Sequence, residues 1–447
     1  MTKRYDVIIV GGGPAGIFAA LELSQKPELS ILLIEKGKDI DKRTNLVCGL
    51  GGAGAYSDGK LTLTPQVGGR LQDYLGKDDT KSLIKYVDDI YLKFGASDKL
   101  YGVGDEIDKI GRQASLAGLR LIPVPLRHLG TERCRLVLKA MRDYLMSRLE
   151  ISLETVASAV ITDNGEVKGI ETDTGGRLDC NYLILAPGRE GADWLSTQAK
   201  QLKLTMYNNP VDVGIRVEVP MAVTEKLTDV LYEAKLEFLS KSFDDRIRTF
   251  CMCPGGEVTL ETTGGADPVI TVNGQSYTNH RSNNTNFALL VSTNFTEPFR
   301  EPIAYGKYLA RLANILSGGV LVQRLGDLTE GHRSTPARIE RGIVRPTLSK
   351  ATPGDLSFVL PYRHLTGLME MLQAIDKLAP GVASKHTLLY GVEVKFYSCR
   401  PHLSPSLETE VSNMFACGDG AGVSRGLIQA SASGVLAARE ILKRSAH

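Results

Sequence analysis

Tyr5-Asp6-Val7-Ile8-Ile9-Val10-Gly11-Gly12-Gly13-Pro14-Ala15-Gly16 is the stretch whose reading decides the fold. An apolar run without alternation predicts a buried strand over 5–10, a helix follows over 14–25, and Ser30-Ile31-Leu32-Leu33-Ile34-Glu35 predicts a second buried strand. Together they form a βαβ unit of about thirty residues. Gly11, Gly13 and Gly16 stand as G-x-G-x-x-G between the strand and the helix. Gly11 permits the tight turn, Gly13 lets a pyrophosphate approach the backbone, and Gly16 lets helix and strand pack. Pro14 and Ala15 complete the turn, where the helix amino terminus offers free N–H groups to phosphate. Glu35 ends the second strand nineteen residues after Gly16, placed to accept from ribose hydroxyls, and Lys36 follows it. Strand, helix and acid in register set this apart from an ordinary glycine turn.

The far end of the chain narrows the nucleotide. There the strand Met414-Phe415-Ala416-Cys417 runs into Gly418-Asp419-Gly420-Ala421-Gly422, then into a long helix expected over 427–444. An Asp here suits the ribityl chain of FAD, and the helix that starts at Gly426, Leu427 and Ile428 would point positive charge at a flavin where negative charge appears on reduction. Gly426, Ala430, Ala432 and Gly434 let that helix lie close. The alternative is a strand–turn–helix needed only for packing. In the Gly-rich loop over 49–59, backbone N–H groups around Gly52 and Gly59, with Ser57 and Lys60, suit the pyrophosphate and the flavin edge; a purely structural turn is the other reading.

The fold class expected is α/β: a Rossmann-like FAD-binding domain, a parallel sheet plus a three-stranded β-meander, with an inserted α+β substrate domain. The meander is expected as Glu154–Thr162, Val167–Thr172 and Leu178–Leu185. Thr131–Leu149 is expected as an amphipathic helix with Thr131 as N-cap and Leu136, Ala140, Tyr144 and Leu145 on one face. The boundaries expected are 1–209 for the first part of the FAD domain, with a helical excursion over about 70–125, then 210–385 for the insertion and 386–447 for the closing strand and helix. The charge of +2 gives no field that argues for nucleic acid, and seven irregularly spaced cysteines suit a reducing compartment. No apolar run of about 18 residues occurs and no signal peptide precedes the first strand, so a cytoplasmic location is expected. The sequons at Asn283 and Asn294 are then chance matches.

On these motifs the chain resembles the glutathione-reductase-type FAD superfamily, and within it a family of uncharacterised bacterial FAD-dependent dehydrogenases. The resemblance is carried by 51–61, Ala186-Pro187-Gly188-Arg189, 250–258, 272–276 and 418–422, which span most of the chain. It implies that Ala186, Pro187 and Gly188 end the strand passing beside the FAD and that Val156, on the meander's first strand, covers the adenine; Val156 as plain core is the other reading. The family pattern has Glu and Tyr where this chain has Asp419 and Val423, which puts the pocket beyond the ribityl chain in doubt. The resemblance supports fold and cofactor more than substrate.

For the chemistry, the expected function is hydride transfer between a small-molecule substrate and non-covalently bound FAD. No second G-x-G-x-x-G is present, so NAD(P)H would meet the flavin directly, or a protein partner would carry the electrons. Catalytic candidates are Arg216, His280 and Arg400 for anion binding or proton relay, each with a surface ion pair as the alternative. Cys251 and Cys253 flank Met252 and are expected to point the same way from a strand, as core or as a redox pair. Cys48 is an inert thiol or a flavin-linking one. No metal site is expected. An RNA-modification or structural role, a flavin monooxygenase and an isoprenoid-type reductase remain as alternatives.

Overall fold

The computed structural model describes residues 3–45, 48–207, 209–263, 267–277, 280–293, 301–396 and 398–445. Along the chain come β1 (Lys3–Val10), α1 (Pro14–Leu23), β2 (Ile31–Glu35), α2 (Thr131–Met146), β3 (Glu150–Leu153), β4 (Ala157–Asp163), β5 (Glu166–Thr172) and β6 (Arg177–Leu185). Then follow β7 (Val211–Pro220), β8 (Lys235–Leu239), β9 (Arg246–Pro254), β10 (Asn284–Thr293), α3 (Pro302–Ser317), β11 (Leu321–Arg324), α4 (Tyr362–Leu378), β12 (Leu388–Lys395), β13 (Met414–Ala416) and α5 (Leu427–Arg444). The chain divides into two compact units: Met1–Lys99 with Arg127–Asn209 and Ser398–His447, and Leu100–Leu126 with Pro210–Tyr397.

In the first unit β3, β2, β1, β6 and β13 are parallel neighbours in that order, and β6 also pairs antiparallel with β5, which pairs with β4. The mixed α/β architecture with a parallel sheet is therefore as expected. β1 and β2 are apolar on both faces because both are covered, and Val7, Ile8, Ile9 and Leu33 are wholly buried. α5 crosses α1 so closely that a Cβ on Gly434 would overlap the Ala15 carbonyl oxygen.

Three local expectations are corrected. The meander starts at Ala157 rather than Glu154, and the parallel strand β3 stands before it. Glu154 takes a left-handed φ of 52° that separates the two, so Val156 lies in the connecting segment and not on the strand. The cap of α2 is Gly130, and the Thr131 hydroxyl meets no acceptor or donor among the described residues. The buried face of α2 is Cys134, Val137, Leu138, Met141 and Leu145, while Leu136 is 65% exposed.

The second unit is built on an eight-stranded sheet ordered Thr352–Pro353, β11, β12, β7, β10, β9, β8, Arg120–Ile122, antiparallel throughout except for its first pair. Strict alternation along β7 sends Val211, Val213, Ile215, Val217 and Val219 into an apolar core shared with Leu368, Met371, Leu372 and Ile375 of α4. The other face carries Asp212, Arg216 and Glu218. The insertion thus runs beyond 385, because β12 is a central strand paired with β7 and β11. The helical excursion over 70–125 is divided: Lys77–Lys93 belongs to the first unit, whereas Glu106–Leu116 and the strand Arg120–Ile122 belong to the second. Among the described residues no helix is long and apolar enough to cross a membrane.

Candidate cofactor site

Because β2, β1, β6 and β13 are parallel, their carboxyl ends lie side by side, and the segments that leave them converge there. Gly11 N–H bonds to Ile34 O at 2.8 Å, Ala186 N–H to Val10 O at 2.8 Å and Cys417 N–H to Leu185 O at 2.9 Å. The structure therefore brings Gly11–Gly16, Glu35, Ala186–Gly188 and Gly418–Gly422 to one edge.

The glycines divide into two kinds. A Cβ at Gly11 would overlap the Ala186 carbonyl, at Gly16 the Gly11 carbonyl and at Gly420 the Gly188 carbonyl, so these three allow backbone to pack on backbone. At Gly13 a Cβ would meet only Gly52 Cα, at 3.8 Å, and at Gly188 and Gly426 nothing within 4 Å. These positions are clear of protein. Gly13 is the N-cap of α1 with Pro14 in its first turn, and Gly426 is the N-cap of α5, so two helix amino termini face the same strand ends. Ala15 and Ile428 bury their side chains and offer only backbone.

Glu35 holds the adjoining loops. Its Oε2 accepts from Gly12 N–H at 2.8 Å, and its Oε1 from Gly37 N–H at 2.9 Å and Gly49 N–H at 3.0 Å. A carboxylate has about four acceptor sites, so one on Oε2 is left for a hydroxyl. The segment before β4 crosses the same end, through Thr155 N–H to Glu35 O at 3.0 Å, which puts Val156 near it. Cys48 Sγ lies 4.0 Å from Glu35 Oε1, and burial pushes its thiol up. Lys36 pairs with Glu190 at 3.6 Å.

The Gly-rich loop is a short 3-10 helix, Gly52–Tyr56, pinned by Gly51 N–H to Gly12 O at 2.8 Å. A residue the sequence reading missed organises it. Buried Arg43 donates to the carbonyls of Gly49, Leu50 and Gly52 at 3.0, 2.9 and 2.8 Å, and its guanidinium lies 5.1 Å from the Tyr56 ring centre. Arg43→Leu is expected to lower the melting temperature and cofactor retention together. The substitution removes these three bonds and two more, from Nε and Nη2 to Asn45 O, and a charge-assisted bond contributes about 1.5–3 kcal/mol; thermal melts with released-flavin assay measure both effects. Ser57 Oγ accepts from Gly59 N–H at 3.1 Å, and Lys60 pairs with Asp58 at 3.1 Å, so these side chains first serve the loop itself.

At the other strand end, Asp419 Oδ1 accepts from Ser424 Oγ at 2.8 Å. Desolvation pushes the Asp419 carboxyl up, opposed by Arg189, Ser424, Arg425 and the Gly426 N–H.

The catalytic candidates part company. Arg216 is wholly buried and saturated, with Nε and Nη2 on Glu393 at 2.7 Å each and Nη1 on Asn286 at 2.8 Å and Cys251 O at 3.1 Å; it is a structural cation and has no donor pair left for substrate. His280 is exposed and pairs with Glu257 at 2.8 Å, the surface alternative. Cys251 and Cys253 have their sulfurs 3.9 Å apart at a bulge where Cys251 takes φ 45°, with Met252 buried in the apolar core. Arg400 is different. It is half-buried, in a two-residue strand beside Met206–Tyr207, next to Gly422. Its Nη1 donates to Tyr74 Oη at 3.1 Å, and its guanidinium lies 5.9 Å from the Tyr74 ring and 5.6 Å from the Tyr207 ring. Buried Nε meets no acceptor among the described residues. Tyr397, its neighbour in sequence, lies outside the described residues.

Comparison with known proteins bears on the cofactor. Residues 6–68 match the family described as FAD binding domain, and residues 210–396 match FAD-dependent protein, C-terminal domain-like. Both matched families are FAD-dependent, so the chain is a flavoprotein by likeness in two regions. The flavoprotein also matches glucose inhibited division protein A over 356–447. It is 27% identical to an uncharacterised protein of Clostridium beijerinckii, over 98% of this chain and 80% of the other. It is 24% identical to the tRNA uridine 5-carboxymethylaminomethyl modification enzyme MnmG of Campylobacter hominis, over 41% of this chain and 24% of that enzyme. Among solved structures, L-proline dehydrogenase from P. horikoshii superposes with a TM-score of 0.44 at 14% identity, covering 99% of this chain and 95% of that one. The edge of the flavoprotein's sheet fits the cofactor: glycines clear of protein at Gly13, Gly188 and Gly426, and a carboxylate at each end.

Proposed function

We propose that the flavoprotein is an oxidoreductase that holds FAD non-covalently along the strand ends and passes a hydride between it and a small molecule. The observation that supports this most is the clear space over Gly13 beside glycines whose Cβ positions are filled by backbone. In this reading Gly13 and the first turn of α1 receive the pyrophosphate, and Glu35 accepts from the ribose with its remaining site. Val156 covers the adenine, and Gly52 closes the loop over the phosphates. Asp419 accepts from the ribityl chain, and the amino terminus of α5 at Gly426 and Ile428 faces the ring end. When bound, FAD supplies two-electron chemistry at its ring. Cys48 then sits at the ribose end, beside Glu35, where a covalent link to the ring is out of reach. Asp419→Ala is expected to lower FAD content severalfold without a change in fold, read from released flavin and circular dichroism.

The test is the visible spectrum of purified protein before and after anaerobic NADH or NADPH, with the released cofactor identified. FAD bands that bleach support a nicotinamide-linked oxidoreductase, bands that persist support a protein electron partner, and a protein unable to take up FAD overturns the reading. The likeness to the tRNA uridine 5-carboxymethylaminomethyl modification enzyme MnmG, over 41% of this chain, favours a second reading, in transfer-RNA modification. It requires RNA to be retained at low salt and released as salt rises; absence of RNA at low salt removes it.

A further inference from the structure

We infer that Arg400 is the anchor for a carboxylate on the substrate, so that the small molecule acted on is an organic acid. The inference rests on the reading of Gly418–Gly422 as the flavin end of the cofactor site, since Arg400 lies against that loop: a Cβ on Gly422 would come within 3.1 Å of Arg400 Cβ.

The argument is one of unused donors. A guanidinium has five N–H groups, and burying one without an acceptor costs about 1–3 kcal/mol. Arg216 shows how this chain treats an arginine kept for structure: both edges of its fork are occupied, one by a carboxylate. Arg400 has one occupied donor, Nη1 on Tyr74, while the Nε–Nη2 edge meets no acceptor among the described residues. That edge is the one with which arginine grips a planar carboxylate through two parallel bonds. The Tyr74 and Tyr207 rings, 5.9 and 5.6 Å from the guanidinium, hold it in place without neutralising it. Tyr207 is 45% exposed and faces exposed His402, with Oη to Nδ1 at 3.5 Å, so the cover over Arg400 is a surface side chain that a ligand can displace. An arginine that served only the fold would not leave its bidentate edge open beside the cofactor loop.

The experiment is calorimetric titration of benzoate, and separately of inorganic phosphate, into the purified full chain saturated with FAD and into the same chain without added FAD. Released flavin is measured on each sample. Saturable benzoate binding that falls at least tenfold in Arg400→Lys and is lost in Arg400→Gln, with FAD content equal to the parent's, is the expected result. The Lys variant keeps the charge and loses only the fork. No saturable benzoate heat in the parent, equal binding in Arg400→Gln, or phosphate binding as tightly as benzoate would each overturn the assignment. Benzoate binding that depends on Arg400 in a chain that takes up no FAD would uphold the carboxylate site and overturn the cofactor reading, so the two fail separately.

Discussion

Gly13→Val is expected to emerge from purification folded and nearly free of FAD. A Cβ at this position meets only Gly52 Cα, at 3.8 Å, and the backbone is extended at φ −80°, so a side chain costs the protein itself little. The added methyls occupy the space assigned to the pyrophosphate. A loss of at least about 1.4 kcal/mol, tenfold in affinity, is expected. Gly13→Ala should show a smaller loss in the same direction. Gly16→Ala is the contrasting variant: its Cβ would overlap the Gly11 carbonyl oxygen, which only a shift of α1 away from β1 can relieve. It should lose fold and cofactor together, as overpacking of this kind costs about 1–3 kcal/mol or more. Released FAD and thermal melts of the cofactor-free proteins separate the two. Full FAD content in Gly13→Val would refute the site.

Arg216→Met has the second large effect, on stability. It leaves Glu393, wholly buried, without its two-pronged partner, and Asn286 without a donor. Breaking a buried pair from one side costs about 3–5 kcal/mol. Lys395 Nζ, 3.2 Å from Glu393, retains part of the compensation, which places the expected loss toward the lower figure. Adding Glu393→Leu should restore some of it, because the uncompensated charge is then gone. Chemical denaturation with and without the second change measures this. A variant as stable as the parent would show that the pair is not what orders the centre of the antiparallel sheet.

The sequence made the first unit's frame readable wherever a local rule had no competitor. The closing helix was expected over 427–444 and is found at Leu427–Arg444, because Gly426 starts it and small residues mark its packed face. β3 was missed: Glu150–Leu153 is four residues long, and its parallel partner β2 lies over a hundred residues earlier, so no local pattern marks it. The face of α2 was misread by about one residue in each turn: leucine at 136 suggested burial, yet it is 65% exposed while Val137 and Leu138 are buried. Arg43 and Arg216 illustrate the same limit for sites. An arginine before glycines, or in the alternating run Val211–Val219, looks the same in sequence whether its donors are filled or open. The alternation itself was a usable signal: in a buried strand it puts Asp212, Arg216 and Glu218 on one face, and that face must then find partners for them. The excursion over 70–125 was expected whole in the first unit, whereas its last part belongs to the second because Arg120–Ile122 pairs with a strand that comes more than a hundred residues later.

The first unit is assembled from three stretches of chain, and the last of them supplies β13 and α5. α5 lies on α1, the helix capped by Gly13, so the early segment of the candidate cofactor site is completed by a late one. On the cofactor reading proposed above, the pocket cannot form until the stretch that carries α5 has been made. A product cut before Gly426 is then expected to be colourless however well its second unit had folded, which absorbance of a chain truncated at 425 would check.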